Sequence, residues 1–228
     1  MAQDSHLENG TSGKRSHDHD TLISALLSVN RSKSLEIIKR SALLTSPFDC
    51  IEDLIIPVLE EIGDRWERGE VSLSQIYMSG RFCEEIIETM LPSGSADRKK
   101  VPRIAVGVLE DQHTLGKRIL KSVILSGGYE VTDYGAGIAA DTLVNDVIRD
   151  NIDILLISTL MLPAALTSRN VIQKIKQLNS KTIVIVGGAP FRFDKNLWKE
   201  VGADAMGNSA FDTLGIIQNL VAEKNYET

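Results

Sequence analysis

A carboxylate and an imidazole two residues apart, Asp111 and His113, sit in the segment Glu110-Asp111-Gln112-His113-Thr114-Leu115-Gly116, between an apolar run and the start of a helical pattern. In an extended loop that spacing turns both side chains the same way. A carboxylate on one ring nitrogen fixes the tautomer and makes the other nitrogen a better donor, the usual arrangement behind a metal-bound histidine. A histidine at a strand end is more often a hydrogen-bonded structural residue, so the pair alone leaves both roles open. Two later segments bear on it. Ser158-Thr159-Leu160 puts a hydroxyl ahead of apolar groups, and Gly187-Gly188-Ala189-Pro190 withdraws side chains where a large ligand could lie on the backbone, although Gly-Gly after a strand also serves as a plain turn.

These segments share a setting. Arg103–Leu109, Glu130–Tyr134, Asp153–Ser158, Thr182–Val186 and Ala203–Met206 are short apolar runs between turn residues, separated by helical patterns at 116–126, 141–150, 165–178, 194–200 and 211–223. Five βα units predict a flavodoxin- or Rossmann-like, doubly wound parallel sheet ordered 2-1-3-4-5, which binds ligands at the carboxyl ends of its strands beside the switch point between strands 1 and 3. All three segments fall there.

From Leu22 to Met90 the apolar residues recur at helical spacing instead. Ser46-Pro47-Phe48-Asp49 starts a long helix, Pro57 kinks it and Gly69 ends it; Ser72 and Gln75 form a capping box for the next. The expected architecture is a flexible tail at 1–20, a four-helix-bundle cap at 21–92, a linker at 93–102 and an α/β domain at 103–228. His17-Asp18-His19 falls in the tail and reads as solvated.

The composition excludes several classes. A formal net charge of −6 and a pI near 5.3 provide no basic footprint for nucleic acid or an anionic membrane. Cys50 and Cys83 form no CxxC and read as buried hydrophobes in a reducing compartment. The apolar stretch 154–166 is interrupted by Ser158, Thr159 and Pro163 and is too short to span a bilayer, and no leader peptide is visible, so a cytoplasmic protein is expected.

Taken in order, Asp-x-His-x-x-Gly, 41 residues, Ser-x-Leu, 26 residues and Gly-Gly resemble the signature of the cobalamin-binding domain of methionine synthase, corrinoid methyltransferase subunits and certain mutases. The resemblance covers 103 to about 223. It extends into the helices: Ile62 to Gln75, with Trp66 and Leu73 seven apart, is similar to the cap that covers the upper cobalt face in methionine synthase and the methylamine and methanol corrinoid proteins. By spacing alone, Trp66 and Leu73 are equally compatible with ordinary bundle core.

The resemblance implies a cobalamin or related corrinoid, cycling between Co(I) cobalamin and methylcobalamin. His113 would be the lower axial ligand of cobalt and Asp111 its hydrogen-bonding partner. Gln112 and Thr114 would flank the cofactor, and Gly116, Ser158, Leu160, Gly187 and Gly188 would line a slot for its displaced nucleotide tail. Relatives carry Gly where this chain has Glu110, and hydroxyls where it has Leu162 and Ala164, so a proton relay beyond Asp111 is in doubt. The implied role is a methyl carrier, not catalytic alone, between a methyl-donor-specific methyltransferase and a methyl-acceptor methyltransferase, with a reductive activator of Co(II). The competing readings are a cobalamin-dependent sensor, a mutase subunit and a flavodoxin-like domain without corrinoid. Ile76-Tyr77 stands where cobalamin photoreceptors carry an acid-histidine pair, which weighs against the sensor.

Overall fold

Apolar residues at helical spacing in the first part of the chain, and β-branched runs between helices in the second, give two separate compact units, Met1–Leu91 and Pro92–Thr228. The computed structural model describes residues 8–90, 98–178 and 181–224. Among the described residues no helix is long and apolar enough to cross a membrane.

The first unit is helical: α1 Glu8–Leu27, α2 Arg31–Leu44, α3 Pro47–Cys50, α4 Ile56–Glu67 and α5 Leu73–Met90, around a core that includes Leu22, Ile37, Ile38, Ile55, Ile62 and Ile87. A π-helical turn, Ile51–Ile55, joins α3 to α4, so the two run on as one long helix and the described residues of the unit form four helices. The turn stands just ahead of Pro57, which has no N–H for the usual ladder, and the Ile56 N–H reaches back to the Ile51 carbonyl. The expected kink is therefore a widened turn. Gly69, at φ +74°, closes α4 with Gly69 N–H on the Trp66 carbonyl and Glu70 N–H on the Arg65 carbonyl, a Schellman end. The capping box holds: Ser72 N–H donates to Gln75 Oε1 at 3.0 Å and Gln75 N–H to Ser72 Oγ at 3.3 Å.

The expected tail at 1–20 needs correcting where it is described. Residues 8–20 belong to α1, and residues 1–7 lie outside the described residues. Leu22, Ile23 and Leu26 are buried, so the last turns of α1 are anchored in the core, and the polar residues before them continue the helix without needing a core of their own. Asp18 pairs with Arg40 of α2.

The second unit is a five-stranded all-parallel sheet in the order β2-β1-β3-β4-β5: β1 Lys99–Val108, β2 Tyr129–Asp133, β3 Ile154–Ser158, β4 Ile183–Gly187 and β5 Ala205–Gly207. β1 begins at Lys99, inside the expected linker, because the Lys99 N–H pairs with the Gly128 carbonyl whatever its side chain. Helices α6 Leu115–Ser126, α7 Ala140–Arg149, α8 Leu162–Leu178, α9 Ala189–Phe193, α10 Leu197–Glu200 and α11 Ala210–Lys224 complete it. Ala105, Leu155, Ile157, Val184 and Val186 form one apolar face with α7 and α8. Alternation turns Val106, Leu156 and Ile185 to the other face, toward α6 and α11.

Candidate functional site

The loop after β1 is held from three sides. Leu109 bridges to Ile138, the Glu110 N–H donates to the Ile138 carbonyl at 3.0 Å, and the Gly137 N–H donates to the Asp111 carbonyl at 2.6 Å. Within it the Asp111 side chain is 3% exposed and that of His113 57%. Asp111 Oδ1 accepts the His113 backbone N–H at 3.0 Å and meets His113 Nδ1 in a short hydrogen bond. Asp111 Oδ2 accepts the Leu160 and Met161 N–H groups at 3.1 and 3.2 Å. One carboxylate thus ties the loop after β1 to the loop after β3.

The protonation pattern follows. Burial pushes the Asp111 carboxyl up, but the bond from His113 and the N–H donors of His113 and Leu160 more than offset it and hold it below its ordinary value. An ionised carboxylate only accepts, so Nδ1 is the ring nitrogen that donates to it, and in the neutral ring this tautomer leaves Nε2 as the metal-binding nitrogen. Leu162 is half-exposed and Ala164 buried. Beyond Asp111, its partners are fixed backbone amides, which cannot pass a proton on.

Beside this pair lies a row of strand-end residues that finishes in two glycines. Val108, Ser158, Gly187 and Gly207 are in register across β1, β3, β4 and β5. A Cβ on Gly187 would stand 3.1 Å from the Gly207 carbonyl oxygen, and one on Gly116, in the first turn of α6, 3.4 Å from Ser158 Oγ. Gly188 has φ +117°, and a Cβ there would fall 1.8 Å from the Thr159 carbonyl oxygen, so only glycine fits. Gly207 was not among the expected site residues. Its signal is its register with Gly187, which no local spacing reveals.

The other expected residues are also located. Gln112 lies over Gly137, where a Cβ would be 2.0 Å from Gln112 Nε2, and the Thr114 carbonyl accepts the Arg118 N–H at the start of α6. Leu160 contributes its N–H to Asp111, while its side chain, with those of Met161 and Leu162, makes an exposed apolar patch next to the His113 loop. Trp66 and Leu73 belong to the helical unit, where they are 44% and 68% exposed beside similarly exposed Tyr77 and Met78; they are not bundle core.

An ion pair buried at its lysine end braces the loop that holds Asp111. Lys117 of α6, its side chain 8% exposed, places Nζ 2.6 Å from Asp133 Oδ1 at the end of β2. Asp133 also accepts Lys121 at 3.0 Å and the Gly135 N–H at 2.9 Å. Gly137, two residues on, is the donor to Asp111. Among the described residues no group of three or more His, Cys, Asp or Glu could hold a bare metal ion. One outward imidazole suits a metal that arrives with ligands of its own.

Comparison with known proteins bears on both units. Two families, each described as B12 binding domain, match residues 103–215 and residues 19–90. The dimethylamine corrinoid protein 3 of Methanosarcina acetivorans is 28% identical over 204 residues, 86% of this chain and 93% of that one. The fold is like that of the Methanosarcina barkeri monomethylamine corrinoid protein, with a TM-score of 0.78 at 23% identity over 90% of this chain and 99% of that one. A chain of the methanol:cobalamin methyltransferase complex of Methanosarcina barkeri matches at a TM-score of 0.51 and 20% identity, over 90% of this chain and 80% of that one.

Proposed function

The chain belongs to the B12 binding domain family, and from that premise we propose that it is a corrinoid methyl carrier, loaded by a methyl-donor methyltransferase and unloaded by a methyl-acceptor methyltransferase. The observation that carries the reading is the Asp111–His113 pair, with Nδ1 bonded to the carboxylate and Nε2 left for a ligand, beside Ser158 and Gly187 at the strand ends. The residues fit such a cofactor: glycines at 116 and 187 keep the backbone beside Ser158 free of side chains, so that a nucleotide tail could lie on it. When bound, the corrinoid supplies a cobalt centre able to accept a methyl group from one partner and yield it to another.

The chain's own work is to bind and to tune. His113 Nε2 would be the nitrogen that holds the cobalt, and Asp111, hydrogen-bonded to Nδ1, would keep the ring oriented. Gln112 and Thr114 flank it, Gly116, Ser158, Gly187 and Gly188 line the slot, and Leu160 lends an apolar surface. Trp66 and Leu73 are exposed apolar side chains of the helical unit, available to an apolar ligand surface. The named relatives belong to methylamine and methanol systems, which favours a small methylated donor presented by a separate methyltransferase; the sensor reading gains no support from them. A reductive activator would be the partner that restores the bound cobalt from Co(II).

The test is reconstitution. The apoprotein is loaded with cobalamin, reduced to Co(I), and mixed with candidate methylamine methyltransferases and their substrates while the absorption spectrum is followed. Conversion to the methylated spectrum only when both methyltransferase and substrate are present is expected. Conversion with substrate alone, or with none of the methyltransferases, refutes the carrier role.

A further inference from the structure

Glu110 occupies a backbone conformation that L side chains rarely adopt, with φ +48°. Its neighbours fix it there: its own N–H is bound by the Ile138 carbonyl, and Asp111 immediately after it is tied to Gly137, His113, Leu160 and Met161. Glycine would sit at this position without strain, yet the chain carries a glutamate. Among the described residues its carboxylate makes no hydrogen bond or ion pair, so the side chain itself does nothing to offset the strain. Strain kept at one residue of a binding loop points to a use outside the folded chain.

The side chain leads to a place. Glu110 lines a groove of about 640 Å³ between α7 and α8, together with Thr167, Asn170 and Gln173 of α8. The two other charges on the groove, Asp141 and Lys174, pair with each other. Glu110 is therefore an unpaired acceptor on a wall of hydroxyl and carboxamide groups, one residue from the Asp111 that orients His113. A partner for it must offer N–H or O–H donors, and the carboxamide and hydroxyl groups of the wall suit a polar ligand that itself carries amides.

We propose that Glu110 is a corrinoid-specificity residue, accepting hydrogen bonds from the carboxamide groups on the rim of the corrin. This rests on the proposed function, and it accounts for a glutamate where a glycine would be easier.

Glu110→Gly separates the terms, because relief of strain and loss of the ligand contact act in opposite directions. The apoprotein variant should melt at the same or a higher temperature than the unsubstituted protein. Its affinity for cobinamide, which keeps the rim amides and lacks the nucleotide tail, should fall about tenfold or more, as for loss of one charge-assisted hydrogen bond. Glu110→Gln, which keeps a weaker acceptor, should fall between the two. The heptamethyl ester of cobyrinic acid, with no rim amides, should bind the unsubstituted protein and Glu110→Gly alike. Equal cobinamide affinity for these two proteins overturns the proposal, as does an equal loss with the ester. Unchanged cobinamide affinity with weakened methyltransferase binding overturns it in favour of a partner contact. If the unsubstituted protein binds neither corrinoid nor cobalamin, it is the proposed function that fails.

Discussion

Replacing Lys117 with methionine removes one end of the brace between α6 and the loop after β2 while keeping most of the side-chain stem. The lost quantity is therefore mainly electrostatic. Removing one partner of a buried pair costs about 3–5 kcal/mol when the other charge is left uncompensated. Asp133 is only partly in that position: its side chain is 25% exposed, and it keeps Lys121 at 3.0 Å and the Gly135 N–H at 2.9 Å. We expect a loss of about 2 kcal/mol at neutral pH. The pH dependence has a definite sign. Burial raises the Asp133 carboxyl, but Lys117, the Gly135 N–H and Lys121 together hold it below its ordinary 3.8. A carboxyl depressed in the folded state adds stability that is present above its unfolded value and disappears as pH falls through its folded one. The gap between the two proteins should thus be widest above pH 5 and narrow below about pH 4. Urea unfolding checks this in a Trp66→Phe background, where Trp198, packed against the sheet core, is the remaining tryptophan. The midpoint should drop with unchanged slope. A variant as stable as its parent, or a gap that persists undiminished in acid, would refute the brace.

Two further substitutions probe the site's walls. Gly188→Ala should cost about 4 kcal/mol or more, since its Cβ would fall 1.8 Å from the Thr159 carbonyl oxygen at φ +117°; a thermal midpoint within a few degrees of the parent would contradict that close approach. Thr159→Val should be neutral or stabilising by up to about 1 kcal/mol, because the Thr159 hydroxyl is buried without a partner; a clear loss in thermal midpoint would mean that this hydroxyl is satisfied after all.

What could be read from the sequence follows the range of the interactions. The sheet order and the clustering of the Asp111, Ser158 and Gly187 segments follow from alternation and topology rules, which are local patterns plus handedness. The caps at Ser46 and Ser72 and the Gly69 end are local too, and they stand as expected. The helical state of 8–20 was hidden because it depends on Leu22, Ile23 and Leu26 being anchored in the bundle rather than on its own polar composition. The start of β1 at Lys99 depends on a backbone pairing that ignores side chains. Gly207 joins the strand-end row only through register with Gly187, and the exposure of Trp66 and Leu73 is a property of the packed bundle that their spacing leaves undetermined. The reach of the Asp111 network was equally invisible: its far oxygen is held by backbone amides at Leu160 and Met161, so hydroxyls at Leu162 and Ala164 are not needed to anchor it.

The central claim, that His113 Nε2 is the axial donor to cobalt, is tested most directly by electron spin resonance of the protein loaded with Co(II) cobinamide, which has no nucleotide base to donate a nitrogen. The unsubstituted protein should show splitting from one axial nitrogen, altered when its histidines carry nitrogen-15 and absent in His113→Ala. The same nitrogen splitting in His113→Ala would contradict the account.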